Sequence, residues 1–148
     1  MQLLGTPIEW LLRIVLATIL GSVIGYERHN RSKEAGVRTH AIVSMAAATL
    51  MVISKYGFMD LNTHYDPSRI ASTIITGVSF LGAGIIFVKN ESVQGLTTSA
   101  GIWATAGIGM CCGAGMHVVA VFSAILMILV QEVYSRSFYL DSPRSSMK

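Results

Sequence analysis

Five apolar runs separated by short polar stretches organise the chain: residues 10–26, 38–56, 69–88, 96–113 and 118–133. Each approaches the roughly 20 residues that a membrane-crossing helix needs, and none shows the ten-residue alternation of a barrel strand. The pattern predicts an all-α integral membrane protein with five transmembrane helices and no strands, because only closed hydrogen-bonding patterns survive where there is no water. Arg13 interrupts the first run four residues after Glu9, a spacing that puts both on one helix face and predicts an interfacial ion pair with Arg13 snorkelling outward. No Lys or Arg precedes Arg13 and no A-x-A-like site follows, so the first run is expected to be a retained span rather than a signal peptide. Thr97 and Thr98 read as the start of the fourth helix. The fifth run is nearly all large and aliphatic apart from Ser123, which predicts a peripheral, lipid-facing helix. The expected organisation is a transmembrane domain over residues 1–133 and a short cytoplasmic tail over 134–148.

Composition agrees with this pattern. The 148 residues are 52% hydrophobic and only 13% charged, with a mean hydropathy of +0.57, against about 25% charged in an ordinary soluble domain. Five spans with short loops leave no room for a separate soluble catalytic domain, so no enzyme activity is expected. Charge then gives orientation. Arg28, Arg31, Lys33, Arg38, Lys89, Arg136, Arg144 and Lys148 fall on one side of the predicted topology, and only Lys55 and Arg69 fall on the other. The positive-inside bias places the N-terminus outside and the basic loops and tail in the cytoplasm, with the second loop (Asp60, Asp66) outside. The excess of bases thus reports orientation, and nucleic acid is not an expected partner. Cys111 and Cys112 are adjacent, and helical neighbours point apart, so no disulfide is expected.

A weak internal repeat is visible. Leu20-Gly21 and Ile24 before the first basic loop recur as Leu81-Gly82 and Ile85, and Gly36 with Thr39 after it recur as Gly95 with Thr98. Both copies would start outside and turn in the cytoplasm, which describes a parallel repeat of two helical hairpins plus a peripheral fifth helix. Gly101, Thr105, Gly109 and Gly113, at i, i+4 spacing, line one face of the fourth helix with small residues, and Gly77, Ser79, Gly82, Ala83 and Gly84 give the third run small positions as well. Such faces let backbones approach closely. The expectation is that Gly77, Ser79 and Ala83 pack against Gly101, Thr105 and Gly109, and that remaining faces make a homo-oligomer.

No acidic residue falls in the middle of a run, and His29, His40, His64 and His117 share no metal-ligand spacing, so neither a metal site nor a cofactor is expected. The basic edge carries the candidate chemistry. Glu27 and Arg28 close the first helix, Arg38, Thr39 and His40 open the second, and Thr97 and Thr98 open the fourth. Two helix N-termini with unpaired N–H groups would then stand beside guanidiniums and hydroxyls. This is either a structural network, in which Glu27 contacts Arg28 or Arg38, or a site for a phosphate, a lipid headgroup or a partner carboxylate.

The residues of this edge resemble those of a known family. Gly25-Tyr26-Glu27-Arg28, Ala35-Gly36-Val37-Arg38-Thr39-His40, Arg69-Ile70-Ala71 leading to Gly77-Val78-Ser79-Phe80-Leu81-Gly82-Ala83-Gly84, Gly95-Leu96-Thr97-Thr98-Ser99-Ala100, Trp103 and Gly113-Ala114-Gly115 occur in the order found in the MgtC/SapB family of bacterial membrane proteins. The resemblance implies a five-helix inner-membrane protein. Its best-known members support growth in low magnesium and survival inside host cells, and they look like regulators, one being associated with inhibition of the F-type ATP synthase. Those members carry an ACT-like cytoplasmic domain after the fifth helix, whereas residues 134–148 here are a Ser-rich stretch too short to build a core. Ser79 stands where glycine is common, and Ser72-Thr73 where Ala-Gln is common. Two readings follow: a regulatory or accessory protein of magnesium homeostasis that works through helix contacts with a membrane partner, or a transporter or channel subunit for magnesium or another small solute. Thr76, Ser79, Ser99 and Thr105 within the spans favour the second.

Overall fold

The computed structural model describes residues 6–60, 65–89 and 91–140, with side chains as far as residue 133. Five helices appear in order: α1 (Pro7–Asn30), α2 (Val37–Tyr56), α3 (Ser68–Ala83), α4 (Leu96–Ala114) and α5 (His117–Leu140). Thr6 starts α1 by accepting the Glu9 N–H at 3.4 Å, with Pro7 in the first turn, so the helix begins before its apolar run does. Residues 134–148, expected as a tail, begin inside α5, and 141–148 lie outside the described residues.

Two expectations about elements fail at the same loop. The third apolar run does not stay helical to residue 88, because α3 ends at Ala83 with Gly84 as its cap. The chain then forms an exposed antiparallel hairpin, β1 (Phe87–Lys89) and β2 (Ser92–Gln94), in register Phe87 to Gln94, Val88 to Val93 and Lys89 to Ser92. Glu91 turns it in a left-handed conformation at φ 62°. An apolar run of this length reads the same as helix or strand, and the aromatic and β-branched Phe87 and Val88 favour the strand. Nor do the threonines cap α4. Its N-cap is Gly95 at φ 85°, without a side-chain cap, and Thr98 lies inside the first turn.

At the other end of α4, Gly115 adopts φ 87°, and the Met116 N–H donates to the Cys111 carbonyl at 2.8 Å, closing the helix as a Schellman turn. Helix α4 touches every other helix. Its small face is tightly packed, as expected, but the partner is α2 rather than α3. A Cβ on Gly109 would collide with the Ser44 carbonyl, and one on Gly113 with that of Ala48. On α1, a Cβ on Gly21 would lie 2.7 Å from Ser44 Cβ, and one on Gly25 2.6 Å from Val37 Cα. Helix α2 is thus approached closely by two glycine-bearing helices, which also touch each other. In α3, a Cβ on Gly77 would meet nothing within 4 Å, and Ser79 and Ala83 are exposed; Gly82 alone of that group approaches α4, at Ser99 Oγ. Apolar side chains fill the rest in two clusters. Ala17, Ile24, Ala48, Ile108, Cys112, Ala120 and Ala124 join α1, α2, α4 and α5, and Val43, Ala47, Ile74, Val78, Ile102 and Ala106 join α2, α3 and α4.

The large hydrophobic side chains lie mostly outside. Ile8, Leu11, Val15, Phe80, Trp103, Val118 and Phe122 are all more than half exposed. Small residues inside and large apolar ones outside invert a soluble core and suit a lipid solvent. Among the described residues, α1 and α2 are long and apolar enough to cross a membrane, and residues 117–133 form a shorter apolar helix. Helix α3, at 16 residues, rises only about 24 Å.

Candidate functional site

At the end where α1 stops and α4 starts, four of the seven residues singled out by the sequence converge. Arg28, in the last turn of α1, is 2% exposed. Its Nη2 donates to Thr98 Oγ1 at 3.4 Å, and the Thr98 hydroxyl donates in turn to Glu34 Oε2 at 2.6 Å. A buried guanidinium is thereby connected through one hydroxyl to a carboxylate in the loop after α1, and that hydrogen bond holds the Glu34 carboxyl below its ordinary pKa. His40 is fully buried one turn into α2. Its Nδ1 lies 3.0 Å from the Gly36 carbonyl. A carbonyl can only accept, so Nδ1 carries the proton and Nε2 presents a lone pair in the neutral ring. Glu27 pairs with Arg31, one turn on, and not with Arg28 or Arg38; Arg31 also pairs with Glu132 of α5, tying α1 to that helix.

The other three candidates stand apart. Thr97 is exposed and joins none of these bonds. Arg38 and Thr39 are exposed, and with His29, Gly36 and Val37 they line an open cup of about 450 Å³ beside the first turn of α2. Arg31, Glu34, Gln131 and Glu132 were not among the candidates. The i, i+4 spacing of Glu27 and Arg31 was a signal for one of them; nothing local marked Glu34, 64 residues from Thr98. What distinguishes this end is polar burial without partners. Both Glu27 carboxylate oxygens lack hydrogen-bond partners apart from the Arg31 ion pair, and Arg28 Nε, His40 Nε2, Ser44 Oγ and Gln131 Oε1 are buried with no partner among the described residues. Among those residues there is no group of three or more His, Cys, Asp or Glu able to hold a metal ion.

The opposite end is wired differently. Arg13 does not snorkel toward Glu9. Its Nη1 donates to Tyr56 Oη at 2.7 Å and to the Gly113 carbonyl at 3.3 Å, while Lys55 Nζ donates to the Ala114 carbonyl at 2.8 Å. Both cations lie 5.5 Å from the centre of the Tyr56 ring, which also stacks on Trp10 at 5.2 Å. Two positive side chains therefore cap the negative end of α4.

A bundle with small residues inside, lipid-suited side chains outside and charge gathered at its two ends is a helical membrane protein. Residues 14–137 match the model of the MgtC family, and the chain belongs to that family. It is 46% identical over 130 residues to "Putative magnesium transporter YhiD" of Escherichia coli, covering 85% of this chain and 60% of that protein. "Protein MgtC" of Brucella abortus is 41% identical over 114 residues, covering 77% of this chain and 46% of that one. "Protein SapB" of Bacillus subtilis is 39% identical over 125 residues, covering 81% and 53%. The chain spans about half the length of these relatives. No solved structure matches it.

Proposed function

We propose that this protein is a regulatory or accessory protein of the bacterial inner membrane, linked to magnesium limitation, that works through helix contacts with a membrane partner and with further copies of itself. The observation that carries this reading is the uncovered outer face of α3. Ser72, Thr76, Ser79 and Ala83 are exposed at near-helical spacing, and the hydroxyls of Ser72, Thr76 and Ser79 are each returned to carbonyls of the same helix. A face so smooth, with its donors already satisfied, suits the close approach of another helix in lipid. Five spans with the basic end in the cytoplasm is the topology this reading adopts, supported by the one-sided bases. The two-hairpin repeat is supported by matched contacts: Gly21 meets His40 as Gly82 meets Ser99, and Gly25 meets Gly36 as Gly95 meets Ile86.

The test is Ser79→Leu, which adds bulk to this face without touching the interior. It is expected to abolish support of low-magnesium growth at unchanged membrane abundance, whereas Phe122→Ala on the outer face of α5 leaves growth intact. Full growth with Ser79→Leu would refute the contact. The second reading, a transporter or channel subunit, is favoured by the unpartnered buried polar groups near Arg28 and His40 and by the name of the Escherichia coli relative. Magnesium flux in liposomes containing the purified protein alone would establish it in place of the first.

A further inference from the structure

Helices α2 and α3 leave an apolar groove between them on the outside of the bundle. Val43, Ala47, Ile74 and Val78 are its buried floor, and Ile42, Leu50 and Leu81 stand exposed along its rims. Ala46 and Gly77 keep it hollow, since a Cβ on Gly77 would meet nothing within 4 Å. The Thr73 hydroxyl in its wall is returned to the Ile70 carbonyl at 2.7 Å, so the lining offers no free donor there. The groove holds about 300 Å³. It continues toward the basic end in a second recess of about 370 Å³, with Val43 and Leu81 bordering both. Thr39 borders the second recess and also the cup that contains Arg38. The helical period of α2 explains this continuity. Arg38, Ile42, Ala46 and Leu50 follow one another at i, i+4, so a single ridge runs along the groove and Arg38 is its last residue at the basic end. Helical side chains lean toward the N-terminus, so Arg38 leans out of the groove toward the membrane boundary. It makes no ion pair or hydrogen bond among the described residues, and Glu34, four positions before it, is bonded to Thr98. An apolar trough open to lipid thus ends at an uncompensated positive charge. A free anion would leave the trough empty, and an uncharged lipid would leave Arg38 without a counter-charge. A helix, at about 10 Å across, would rest on the rims and leave the floor unfilled. A hydrocarbon chain fits, because 300 Å³ takes about ten methylene groups if each needs roughly the 30 Å³ of a water molecule.

We propose that the groove between α2 and α3 is a binding site for one anionic phospholipid of the leaflet at the basic end, with an acyl chain along Gly77 and Ala46 and the phosphate against Arg38. The test is native mass spectrometry of the purified full chain released from neutral detergent micelles, which reads bound lipid and subunit number together. With dioleoyl phosphatidylglycerol added, one lipid per subunit should be retained in preference to dioleoyl phosphatidylcholine. Gly77→Leu and Ala46→Leu fill the trough from its two walls, and each should lose the adduct. Gly107→Leu is the matched control, because a Cβ there also meets nothing within 4 Å and Gly107 lies outside the groove; it should keep the lipid. Arg38→Ala, at an exposed position where folding is not at risk, should bind phosphatidylglycerol about fivefold more weakly and lose the preference for it, since one basic residue at an anionic surface contributes about that much. Arg38→Lys keeps the charge and should keep the preference. Glycerol 3-phosphate, the headgroup chemistry without chains, should not displace the lipid. The proposal is overturned if phosphatidylcholine is retained equally well, if Gly77→Leu or Ala46→Leu keeps the adduct as Gly107→Leu does, or if Arg38→Ala keeps the preference. It is also overturned if glycerol 3-phosphate competes, which would make the cup a site for soluble anions. Loss of subunits with Gly77→Leu at unchanged lipid retention would overturn it too, by assigning the groove to a second copy of the chain.

Discussion

Where α4 ends, Arg13, Lys55 and Tyr56 hold one another and the last carbonyls of the helix; where α4 begins, Glu27, Arg28, His40 and Gln131 leave buried atoms without a direct partner. Both ends carry cations and an aromatic or imidazole ring at a hydrophobic boundary, yet only the first is close to closed, with Trp10 Nε1 its single buried atom lacking a partner among the described residues. A polar group with its bonds complete is explained by the helix terminus it caps. A group buried without a partner destabilises the fold unless something else meets it, and such groups concentrate where a protein binds or moves. The comparison separates a structural clamp from a candidate site more sharply than residue type does, since Arg13 lies deeper in its apolar run than Arg28 does and has the more ordinary role.

The largest effect expected from this contrast is at Arg28. Removing a guanidinium that is 2% exposed takes from the Thr98 oxygen its donor, though its bond to Glu34 stays, and leaves Glu27 and Glu34 beside less positive charge. Arg28→Ala should therefore cost about 2 to 3 kcal/mol in a reversible unfolding assay in micelles. Arg28→Lys should recover part of that, because a lysine keeps the charge and loses the fork that reaches Thr98. An Arg28→Ala protein as stable as the parent would mean that the network is wet and the contrast between the two ends false.

Much of this contrast was legible in the sequence, and what escaped has common causes. Glu27, Arg28, His40 and Thr98 were identifiable because charge and hydroxyls at helix ends stand out against apolar runs. The small face of α4 was also legible, but i, i+4 glycines report only that something approaches closely, not which helix; it is α2. Arg13 was misread through a local pairing with Glu9, when its partner carbonyl, Gly113, lies 100 residues away. The end of α3 was lost because an apolar segment from 85 to 88 carries no period that tells strand from helix. Local spacing reveals faces and termini; the partners that complete them come from the packing.

The next effect is at the closed end. Arg13→Ala removes one bond to Tyr56, one to Gly113 and a cation from the C-terminus of α4, while Lys55 remains on Ala114. A loss of about 1 to 2 kcal/mol is expected, with low-magnesium growth retained once expression is matched. If growth fails while the fold holds, the clamp is itself a functional site, and the distinction drawn between complete and incomplete bonding does not sort the two ends.

The smallest effect on stability, and the sharpest on function, is at Arg38. It is exposed on the first turn of α2, in the cup formed with His29, Gly36, Val37 and Thr39, and it makes no ion pair or hydrogen bond among the described residues. Arg38→Ala should shift stability by no more than about 0.5 kcal/mol, as at an ordinary surface position. Growth support then separates two uses of the same charge. A guanidinium held as a planar fork for a phosphate or a carboxylate would make Arg38→Lys fail as Arg38→Ala does, because lysine cannot reproduce two parallel bonds. A positive charge resting against anionic headgroups asks only for charge. No neighbouring side chain fixes the plane of Arg38 among the described residues, so Arg38→Lys is expected to support growth and Arg38→Ala to weaken it. Failure of both variants at parental stability would identify the cup, rather than the buried network around Arg28, as the place where this end of the bundle meets its ligand.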